Sequence, residues 1–548
     1  MIRIKGAEWI AKRLRSCGVE TVFGVPGQRV LPLFEALRAN GIKIIISCNE
    51  QGASYMADSF ARVNGFGVVI TTSGPGAINA LSGTSAAWMD STPLLVLSAQ
   101  AEVSEFGRYG IQEGTGIGRT PDILMMYRSC TKMVARPVST IQMIKQFDVL
   151  VKNAQHGRPG PVFMDIPSNL FEEQCFVDMN NQSIVTNKEC LHYNKDLGAL
   201  AHMVAKELIL AHNPLLLIGK GAGKLQSKLI TLVKQFALTY ATTFLAKGIL
   251  GEKCSRSLGV VGSYGNRIAN IAFHGDADLV LAIGVSFSWL TTAGWKRVSG
   301  RLIRCDSEFS ELERHYTGDL CIHSDAEKFI DELLNVCDVD SAFLVRSKQS
   351  KLLNQKDLED DVLVAMSGFK LHPVDVIRSI NEKLRPEDIV VCDVGQFAYW
   401  CERYLVVPRG VKFIIGGGLG AMGHGVSGGV GAYLATSGRR TWVLCGDGGF
   451  LMNGMEGAIA ARIDADVKYI VFNNGELGTQ ADWFRNRKLS TTLVHTPRIQ
   501  FTELGCGLGL RTFVIRDKND LVRRLASVRR GAELWDVRCA ASEPPVEY

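Results

Sequence analysis

The sequence lacks the features that would place it in several large functional classes. Its 61 Lys and Arg exceed its 55 Asp and Glu by a net charge of +6, which is spread along the chain without a basic block. This pattern does not indicate nucleic-acid binding. No apolar run approaches the ~20 residues that a membrane-spanning helix needs, and the N-terminal segment lacks the apolar stretch of a signal peptide. We therefore expect no nucleic-acid partner, no membrane association and a cytoplasmic location.

Cysteine patterning excludes two further classes of protein. The fourteen cysteines form no CxxC pair and no Cys/His cluster, so neither a zinc site nor a disulfide scaffold is indicated. Free thiols in that number fit a reducing cytosol. Repeats of solenoid length and low-complexity tracts are also absent. What remains is an ordinary globular composition, with 46% hydrophobic and 21% charged residues in a chain of 548, long enough for about three domains.

The stretch from Thr441 to Trp483 carries the strongest functional pattern. An apolar run ends at Gly446-Asp447-Gly448-Gly449, a helical segment follows, and a second apolar run ends at Asn473-Asn474. Strand, helix and strand of this length predict a right-handed βαβ unit with parallel strands. Asp447 and Asn474 would then lie at the carboxyl ends of two strands, where open α/β sheets bind ligands.

The residue types at these strand ends suit a diphosphate held through a divalent metal. An Asp carboxylate and an Asn carbonyl are hard oxygen donors of the kind that Mg²⁺ prefers. The glycines let backbone N–H groups approach phosphate at the amino end of a helix. Gly446-Asp447-Gly448 alone could equally be a βα turn with a capping Asp. The Asn-Asn at the end of the next strand favours the metal-diphosphate interpretation.

This pair of motifs resembles the thiamine diphosphate (ThDP) signature of the acetolactate synthase, pyruvate oxidase and pyruvate decarboxylase superfamily. The resemblance covers essentially the whole chain and is closest to the large, catalytic subunit of acetolactate synthase. It implies an α/β fold of three doubly wound domains with parallel sheets. These would be a pyrimidine-binding domain at 1–172, a central Rossmann-like domain at 196–339 and a diphosphate-binding domain at 369–548. Polar stretches at about 173–195 and 338–368 would link them.

The resemblance also implies which residues hold the cofactors. Asp447 and Asn474 would be Mg²⁺ ligands, with the backbone carbonyl of Glu476 as a third. Met422 would pack between the two rings of ThDP, beside His424, which stands where the family has Phe. The implied coenzyme-binding residues are Pro26, Gly27, Gly74, Pro75, Gly395, Gln396, Gly420, Met422, Gly446, Gly448 and Gly449.

Glu50 is the implied catalytic residue. A glutamate between a buried strand and a helix is often only a solvated acid that favours the helix dipole. Here, however, the segment from Asn49 to Arg62 resembles the family's His-Glu-Gln-Gly-Ala segment, whose Glu hydrogen-bonds the aminopyrimidine ring of ThDP. A carboxyl in an apolar dimer interface has its charged form disfavoured, so it can share a proton with the ring nitrogen. Asn49 replaces the family's His.

Three residues are implied to face the substrate. Gln112 and Lys132 lie in segments that resemble the borders of the substrate channel in acetolactate synthases, where Lys132 would attract a carboxylate. Trp483 matches a Trp that those enzymes place near the second substrate. Each could equally be a surface polar residue or a packing residue.

The central domain raises the question of a flavin. In the anabolic acetolactate synthases this domain helps to bind FAD, and a Gly-Ala-Arg-Phe segment follows its second strand. The corresponding segment here is Gly284-Val285-Ser286-Phe287. Loss of the Arg removes a partner for the FAD diphosphate. The replacement argues against FAD without deciding the question.

The implied activity is ThDP- and Mg²⁺-dependent decarboxylation of a 2-oxo acid, with pyruvate expected, and carboligation to a second carbonyl acceptor. With pyruvate as the acceptor the product is 2-acetolactate. Three alternatives stay open: a related ThDP enzyme with another acceptor (a secondary-metabolic carboligase or a sulfoacetaldehyde acetyltransferase-like enzyme), a simple 2-oxo acid decarboxylase, and a non-catalytic subunit. The site would combine Glu50 of one chain with Asp447 of another. A homodimer or tetramer is therefore expected, and a regulatory subunit is a further candidate partner.

Overall fold

A computed structural model describes residues 2–177, 197–336 and 371–540, apart from positions 315, 437 and 498. The predicted second linker, 338–368, lies outside the described residues, as does most of the first. The first residues of the first linker instead form a strand, Gln174–Val177, which pairs antiparallel with Ile2–Lys5. This strand forms because Cys175 is buried against the N-terminal domain, in the same core as Ile4.

The N-terminal region contains a six-stranded parallel sheet and the separate antiparallel pair. Its strands are β1 (Ile2–Lys5), β2 (Thr21–Gly24), β3 (Lys43–Ile46), β4 (Gly67–Thr71), β5 (Leu94–Gln100), β6 (Met133–Ala135), β7 (Val162–Pro167) and β8 (Gln174–Val177). Its helices are α1 (Gly6–Ser16), α2 (Leu31–Ala39), α3 (Glu50–Asn64), α4 (Pro75–Met89), α5 (Ile123–Arg128), α6 (Thr140–Gln155) and α7 (Asn169–Glu172). The parallel sheet has the order β3-β2-β4-β5-β7-β6.

The central region contains a second parallel sheet. Its strands are β9 (Pro214–Ile218), β10 (Thr239–Thr242), β11 (Ser257–Val260), β12 (Leu279–Ile283), β13 (Arg301–Asp306) and β14 (Leu320–His323). Its helices are α8 (Leu197–Leu210), α9 (Gln226–Gln235), α10 (Arg267–Ile271), α11 (Phe309–Leu312) and α12 (Ala326–Leu334). The strand order β11-β10-β9-β12-β13-β14 is that of the doubly wound dinucleotide-binding fold.

The C-terminal region contains the third parallel sheet. Its strands are β15 (Ile389–Cys392), β16 (Lys412–Ile415), β17 (Thr441–Gly446), β18 (Val467–Asn473), β19 (Arg511–Ile515) and β20 (Glu533–Arg538). Its helices are α13 (Pro373–Asn381), α14 (Gln396–Tyr404), α15 (His424–Leu434), α16 (Asp447–Asn453), α17 (Gly457–Arg462), α18 (Gly478–Asn486), α19 (Phe501–Gly507) and α20 (Lys518–Ala526). The order β16-β15-β17-β18-β20-β19 repeats the connectivity of the N-terminal sheet.

Burial explains why these segments form strands. All residues of β4 and of β18 are buried, as expected for parallel strands that helices cover on both faces. The predicted βαβ unit is present, since β17 and β18 are adjacent and parallel. The predicted α/β fold with three parallel sheets is confirmed. None of the helices in the described part of the chain is long and apolar enough to cross a membrane.

The first and third regions share one core through α3 and α15. Met56 on α3 and Val426 on α15 belong to the same buried cluster. The helices approach closely because α15 carries glycines on the contact face: a Cβ at Gly431 would lie 1.9 Å from the carbonyl oxygen of Met56. Only a residue without a side chain allows that approach.

Candidate active site

A cavity of about 190 Å³ lies at the carboxyl edge of the third sheet. It is formed by the ends of β15, β17 and β18 and by the loop before α15. It brings together nine of the predicted site residues: Gly395, Gly420, Met422, Gly446, Asp447, Gly448, Gly449, Asn474 and Glu476, with Gly478 as an additional glycine beside them. The strand ends therefore converge as the βαβ pattern predicts.

Asp447 stands at the centre of this edge and is 3% exposed. Its Oδ1 accepts the N–H of Gly448 at 2.8 Å, and its Oδ2 accepts from the N–H of Gly475 at 3.0 Å and from the hydroxyl of Thr496 at 2.9 Å. Burial raises the pKa of this carboxyl, although these hydrogen bonds oppose the rise. A cation bound here would stabilise the charged form.

Asn474 and Glu476 complete a set of oxygen donors on the same wall. The Oδ1 of Asn474 accepts the N–H of Glu476 at 3.1 Å, which fixes the amide orientation. The carboxylate of Glu476 pairs with Arg485, which leaves its backbone carbonyl as the oxygen available to a metal. A carboxylate, an amide carbonyl and a backbone carbonyl form the hard-oxygen donor set that suits Mg²⁺. These residues therefore fit a magnesium-held diphosphate.

The side chain of Asp393 fixes the loop that carries Met422 through two backbone hydrogen bonds. This buried carboxylate accepts the N–H of Gly423 at 2.8 Å and that of Gly425 at 3.0 Å. Burial raises its pKa. A Cβ at Gly449 would lie 2.2 Å from the Oδ2 of Asp393, which is why the position after the Asp447 motif is glycine. Asp393 directly follows β15, and no local sequence pattern marks it for this supporting role.

Gln396 does not line the cavity, although it was predicted to bind the coenzyme. It begins α14 and is buried. Its amide donates to the carboxylate of Asp482 on α18. A Cβ at Gly478 would lie 2.2 Å from its Oε1. Gln396 therefore packs beneath α18, next to the cavity wall.

Glu50 lies at the carboxyl edge of the first sheet. It is the first residue of α3 and is 8% exposed. Its Oε2 accepts from the side-chain amide of Asn79 at 3.0 Å. Asn49 caps the helix, since its Oδ1 accepts the N–H of Gly52 at 2.8 Å. Asn is among the best residues for this position, so the replacement of the family's His preserves the helix start.

Most of the other predicted residues of the first domain gather at the same edge. Gly27, in the loop with Pro26 after β2, packs on Thr72: a Cβ at Gly27 would lie 2.5 Å from its Oγ1. Gly74 has a φ of +59° and leads into α4, which starts at Pro75. The backbone of Gln112 lies against Gly74, and its Oε1 accepts from Ser73 at 3.4 Å.

Lys132 lies away from the edge that carries Glu50, and Trp483 lies on α18, whose first residues line the cavity around Asp447. Lys132 precedes β6 and therefore lies at the amino edge of the first sheet. Its ammonium donates to the carbonyl oxygens of Asn153 and His156, at 2.6 Å each, near the end of α6, and burial lowers its pKa. Trp483 lies on α18, is 49% exposed and stacks under the guanidinium of Arg487 at 4.1 Å.

The two halves of the predicted site stay apart within one chain. Of the described residues, none from the first domain lines the cavity around Asp447. Glu50 instead faces Asn79 and Gly76 of its own domain. Within one chain, the predicted base and the predicted metal site are therefore separate.

The ends of two strands meet closely in the central sheet, where the family would place the flavin diphosphate. Its topological switch point lies between β9 and β12, where doubly wound sheets bind dinucleotides. There the N–H groups of Gly219 and Gly221 donate to the carbonyl oxygens of Ile283 and Gly284, at 2.9 and 3.2 Å. A Cβ at Gly219 would lie 1.9 Å from the Gly284 oxygen. The backbone segments that follow β9 and β12 are therefore in direct contact at this point.

Comparison with known families agrees with this architecture. Residues 4–117 match a family model described as the N-terminal TPP-binding domain of thiamine pyrophosphate enzymes. Residues 201–333 match the central domain of the same enzymes, and residues 393–534 match their C-terminal TPP-binding domain. The three matches follow the three parallel sheets in order.

Individual relatives are similar over most of their length. A probable acetolactate synthase large subunit of Methanocaldococcus jannaschii is 29% identical over 95% of this chain and 89% of its own. The acetolactate synthase large subunit of Lactococcus lactis is 29% identical over 87% and 82%. The isozyme 2 large subunit of Escherichia coli is 28% identical over 92% and 90%. The chain therefore belongs to the family of thiamine pyrophosphate (thiamine diphosphate)-dependent enzymes, in which it is acetolactate synthase-like.

Proposed function

We propose that this enzyme decarboxylates pyruvate, or a related 2-oxo acid, and joins the remaining two-carbon unit to a second carbonyl compound, with Mg²⁺ as the metal. The observation that carries the proposal is the convergence of Asp447, Asn474 and Glu476 with the glycines on one cavity. The relatives named acetolactate synthase support the choice of reaction.

The roles of the metal-site residues follow from their chemistry. The carboxylate of Asp447, the Oδ1 of Asn474 and the backbone carbonyl of Glu476 would hold Mg²⁺ and, through it, the coenzyme diphosphate. Gly448 and Gly449 let the backbone approach the phosphates. Met422 supplies an apolar wall. When bound, ThDP supplies the electron sink for loss of CO₂ from the substrate.

Glu50 is proposed to exchange a proton with a nitrogen of the bound pyrimidine ring. Asn79 donates to its Oε2 and so orients the carboxyl group. The other oxygen, Oε1, lies next to Gly76, where a Cβ would come within 3.1 Å. The absence of a side chain at position 76 leaves that oxygen accessible for the exchange. A positioned carboxyl of this kind is a general acid–base group.

Because Glu50 and the cavity do not meet in one chain, we propose a homodimer as the smallest active unit. Large apolar side chains are exposed on both regions that would meet, among them Met125 in the first and Met452 and Met455 in the third, at 57%, 55% and 56%. Exposed apolar groups in such numbers fit a surface that a second copy covers. The relatives are named large subunits, which supports a smaller regulatory subunit as a further partner.

A second candidate function keeps the coenzyme and changes the acceptor. Lys132 was expected to attract the carboxylate of the substrate or intermediate, yet its ammonium is engaged by the end of α6. This placement favours an acceptor other than a 2-oxo acid, as in a sulfoacetaldehyde acetyltransferase-like enzyme, or a simple decarboxylase.

The test is a mass-spectrometric product profile of the purified enzyme with ThDP, Mg²⁺ and a panel of 2-oxo acids, each alone and with an aldehyde. Acetolactate from pyruvate alone would establish the first candidate. Acetaldehyde without a coupled product would establish the simple decarboxylase, and acetyl phosphate formed in phosphate buffer would indicate acetyl transfer to another acceptor. Absence of turnover with every acid, together with absence of ThDP binding by calorimetry, would contradict the proposed function.

A further inference from the structure

Glu456 connects the metal-binding edge of the third domain to the start of α3. Helix α16 begins at Asp447, and Glu456 ends the short turn that follows it. The side chain is fully buried. Its Oε1 accepts the N–H groups of Cys48 and Asn49 at 3.2 and 3.3 Å, and its Oε2 also lies 3.2 Å from the Cys48 nitrogen. These are the two residues before Glu50.

The contact between Glu456 and α3 is close enough to exclude a side chain. A Cβ at Gly52 would lie 2.0 Å from the Oε1 of Glu456. The carboxylate therefore lies directly against the first turn of the helix that Glu50 begins. A second hydrogen bond joins the third domain to α3 further along the helix, where the Nε2 of His424 donates to Asp58 at 2.6 Å.

The burial of Glu456 is costly, which argues that the residue has a role beyond packing. No salt bridge joins it to a basic side chain in the described part of the chain. The ionisable groups that face it are Cys48, Arg462 and Tyr469, and the hydrogen bond of Arg462 goes to the carbonyl oxygen of Ile46. Burial raises the pKa of Glu456 to about 7, against the effect of the Cys48 and Asn49 N–H groups. Buried carboxyls with such shifts concentrate at functional sites.

We infer that Glu456 is a positioning residue for Glu50. By accepting the N–H groups of Cys48 and Asn49, it fixes the backbone from which the Glu50 side chain extends toward the coenzyme. The inference rests on the proposed function, in which Glu50 acts on the coenzyme held by a second copy. One chain would then use the end of its own metal-binding segment to set the catalytic residue that serves its partner.

The substitution Glu456→Gln tests this inference. Gln keeps the size of the side chain but replaces a carboxyl group that accepts two N–H groups by an amide with one oxygen and an NH₂ that would face a donor. The start of α3 should loosen. We expect kcat to fall about tenfold, which is about 1.4 kcal/mol. KM and the affinity for ThDP should stay within about twofold, because the cavity itself is unchanged.

Two measurements separate positioning from general structural support. Hydrogen–deuterium exchange of the 46–52 peptide, in protein without coenzyme, should be faster in Glu456→Gln than in the wild type. The matched control is Arg462→Met, which removes another hydrogen bond between the same domains, to Ile46, without touching the N–H groups before Glu50. This control should keep the wild-type kcat. Glu456→Asp, which keeps the charge on a shorter side chain, should retain more activity than Gln and remains informative if Gln prevents folding.

The inference fails if exchange of the 46–52 peptide is unchanged in Glu456→Gln, or if exchange quickens while kcat stays at the wild-type value. It also fails if Arg462→Met lowers kcat as much as Glu456→Gln does. Failure of the proposed function would look different: the wild-type enzyme itself would show no turnover, whereas the exchange experiment would still report whether Glu456 holds the start of α3.

Discussion

The substitution Asp58→Asn should strongly destabilise the protein, because it breaks a buried network between the first and third domains. Asp58 is fully buried. Its Oδ2 accepts from the Nε of Arg62 at 2.8 Å and from His424 at 2.6 Å. Arg62 also pairs with Asp90 at 2.7 Å. Asn cannot supply the charge, and its NH₂ would face donors.

The magnitude follows from this geometry. Removing one partner from a buried ion pair costs about 3–5 kcal/mol. Since Arg62 keeps Asp90, we expect the lower end, about 3 kcal/mol of the free energy of unfolding. Burial alone would raise the pKa of Asp58, but Arg62 and His424 hold it well below its usual range. Because the pKa of Asp58 is lowered in the folded protein, its charged carboxylate stabilises the fold at every pH above the ordinary pKa of 3.8. This stabilisation is lost as the pH falls through the pKa of the folded state.

The assay is urea unfolding followed by tryptophan fluorescence, for the wild type and Asp58→Asn at neutral pH and in acid. The difference in the free energy of unfolding between the two proteins should be largest at neutral pH. It should shrink at low pH, where the wild-type carboxyl becomes protonated. Glu35→Gln is the control: its pair with Arg38 is at the surface, and exposed pairs contribute little. A loss below about 1 kcal/mol in Asp58→Asn would refute the reasoning from buried charge.

Three further outcomes test the active site. Glu50→Gln should abolish nearly all turnover while circular dichroism and the unfolding midpoint stay close to wild type; full turnover would remove Glu50 from the chemistry. Asp447→Asn should weaken ThDP binding measured by calorimetry with Mg²⁺, because a neutral amide is a poorer ligand than a carboxylate; equal affinity would contradict the metal role of Asp447. Purified protein should show no flavin absorbance, since backbone fills the switch point around Gly219 and Gly284; a stoichiometric flavin spectrum would overturn that prediction.

Much of the fold could be predicted from the sequence, because parallel strands leave local patterns. The apolar runs before Asp447 and Asn474 became adjacent buried strands, and the glycines at their ends became the cavity wall. The roles of these residues toward ThDP and Mg²⁺ stay predictions. The pattern was less informative for Gln396, whose place beneath α18 depends on Asp482, far along the chain.

Contacts between distant segments left no local signal. Glu456 meets Cys48 across 408 positions, and His424 meets Asp58 across 366. No spacing or periodicity in the sequence indicates either of these two contacts. For Lys132, a local resemblance was present but did not give the position of the side chain. Its segment resembles the border of a substrate channel, yet Lys132 precedes β6 and therefore lies at the amino edge of the sheet. The edge of the sheet at which a residue lies depends on which end of a strand it occupies. The ends of short strands such as β6 are hard to delimit from sequence.

The buried charges at the meeting of the three domains limit how the protein can be divided. Lys220 of the central domain donates to the Asp90 carbonyl and to Thr92, while Arg62 bridges Asp90 to Asp58 and onward to His424. A fragment made by cutting the polypeptide at either predicted linker would lose part of this network. It would keep a charged group whose partner is missing. Isolated domains should therefore express poorly, and the whole enzyme should melt as one cooperative unit.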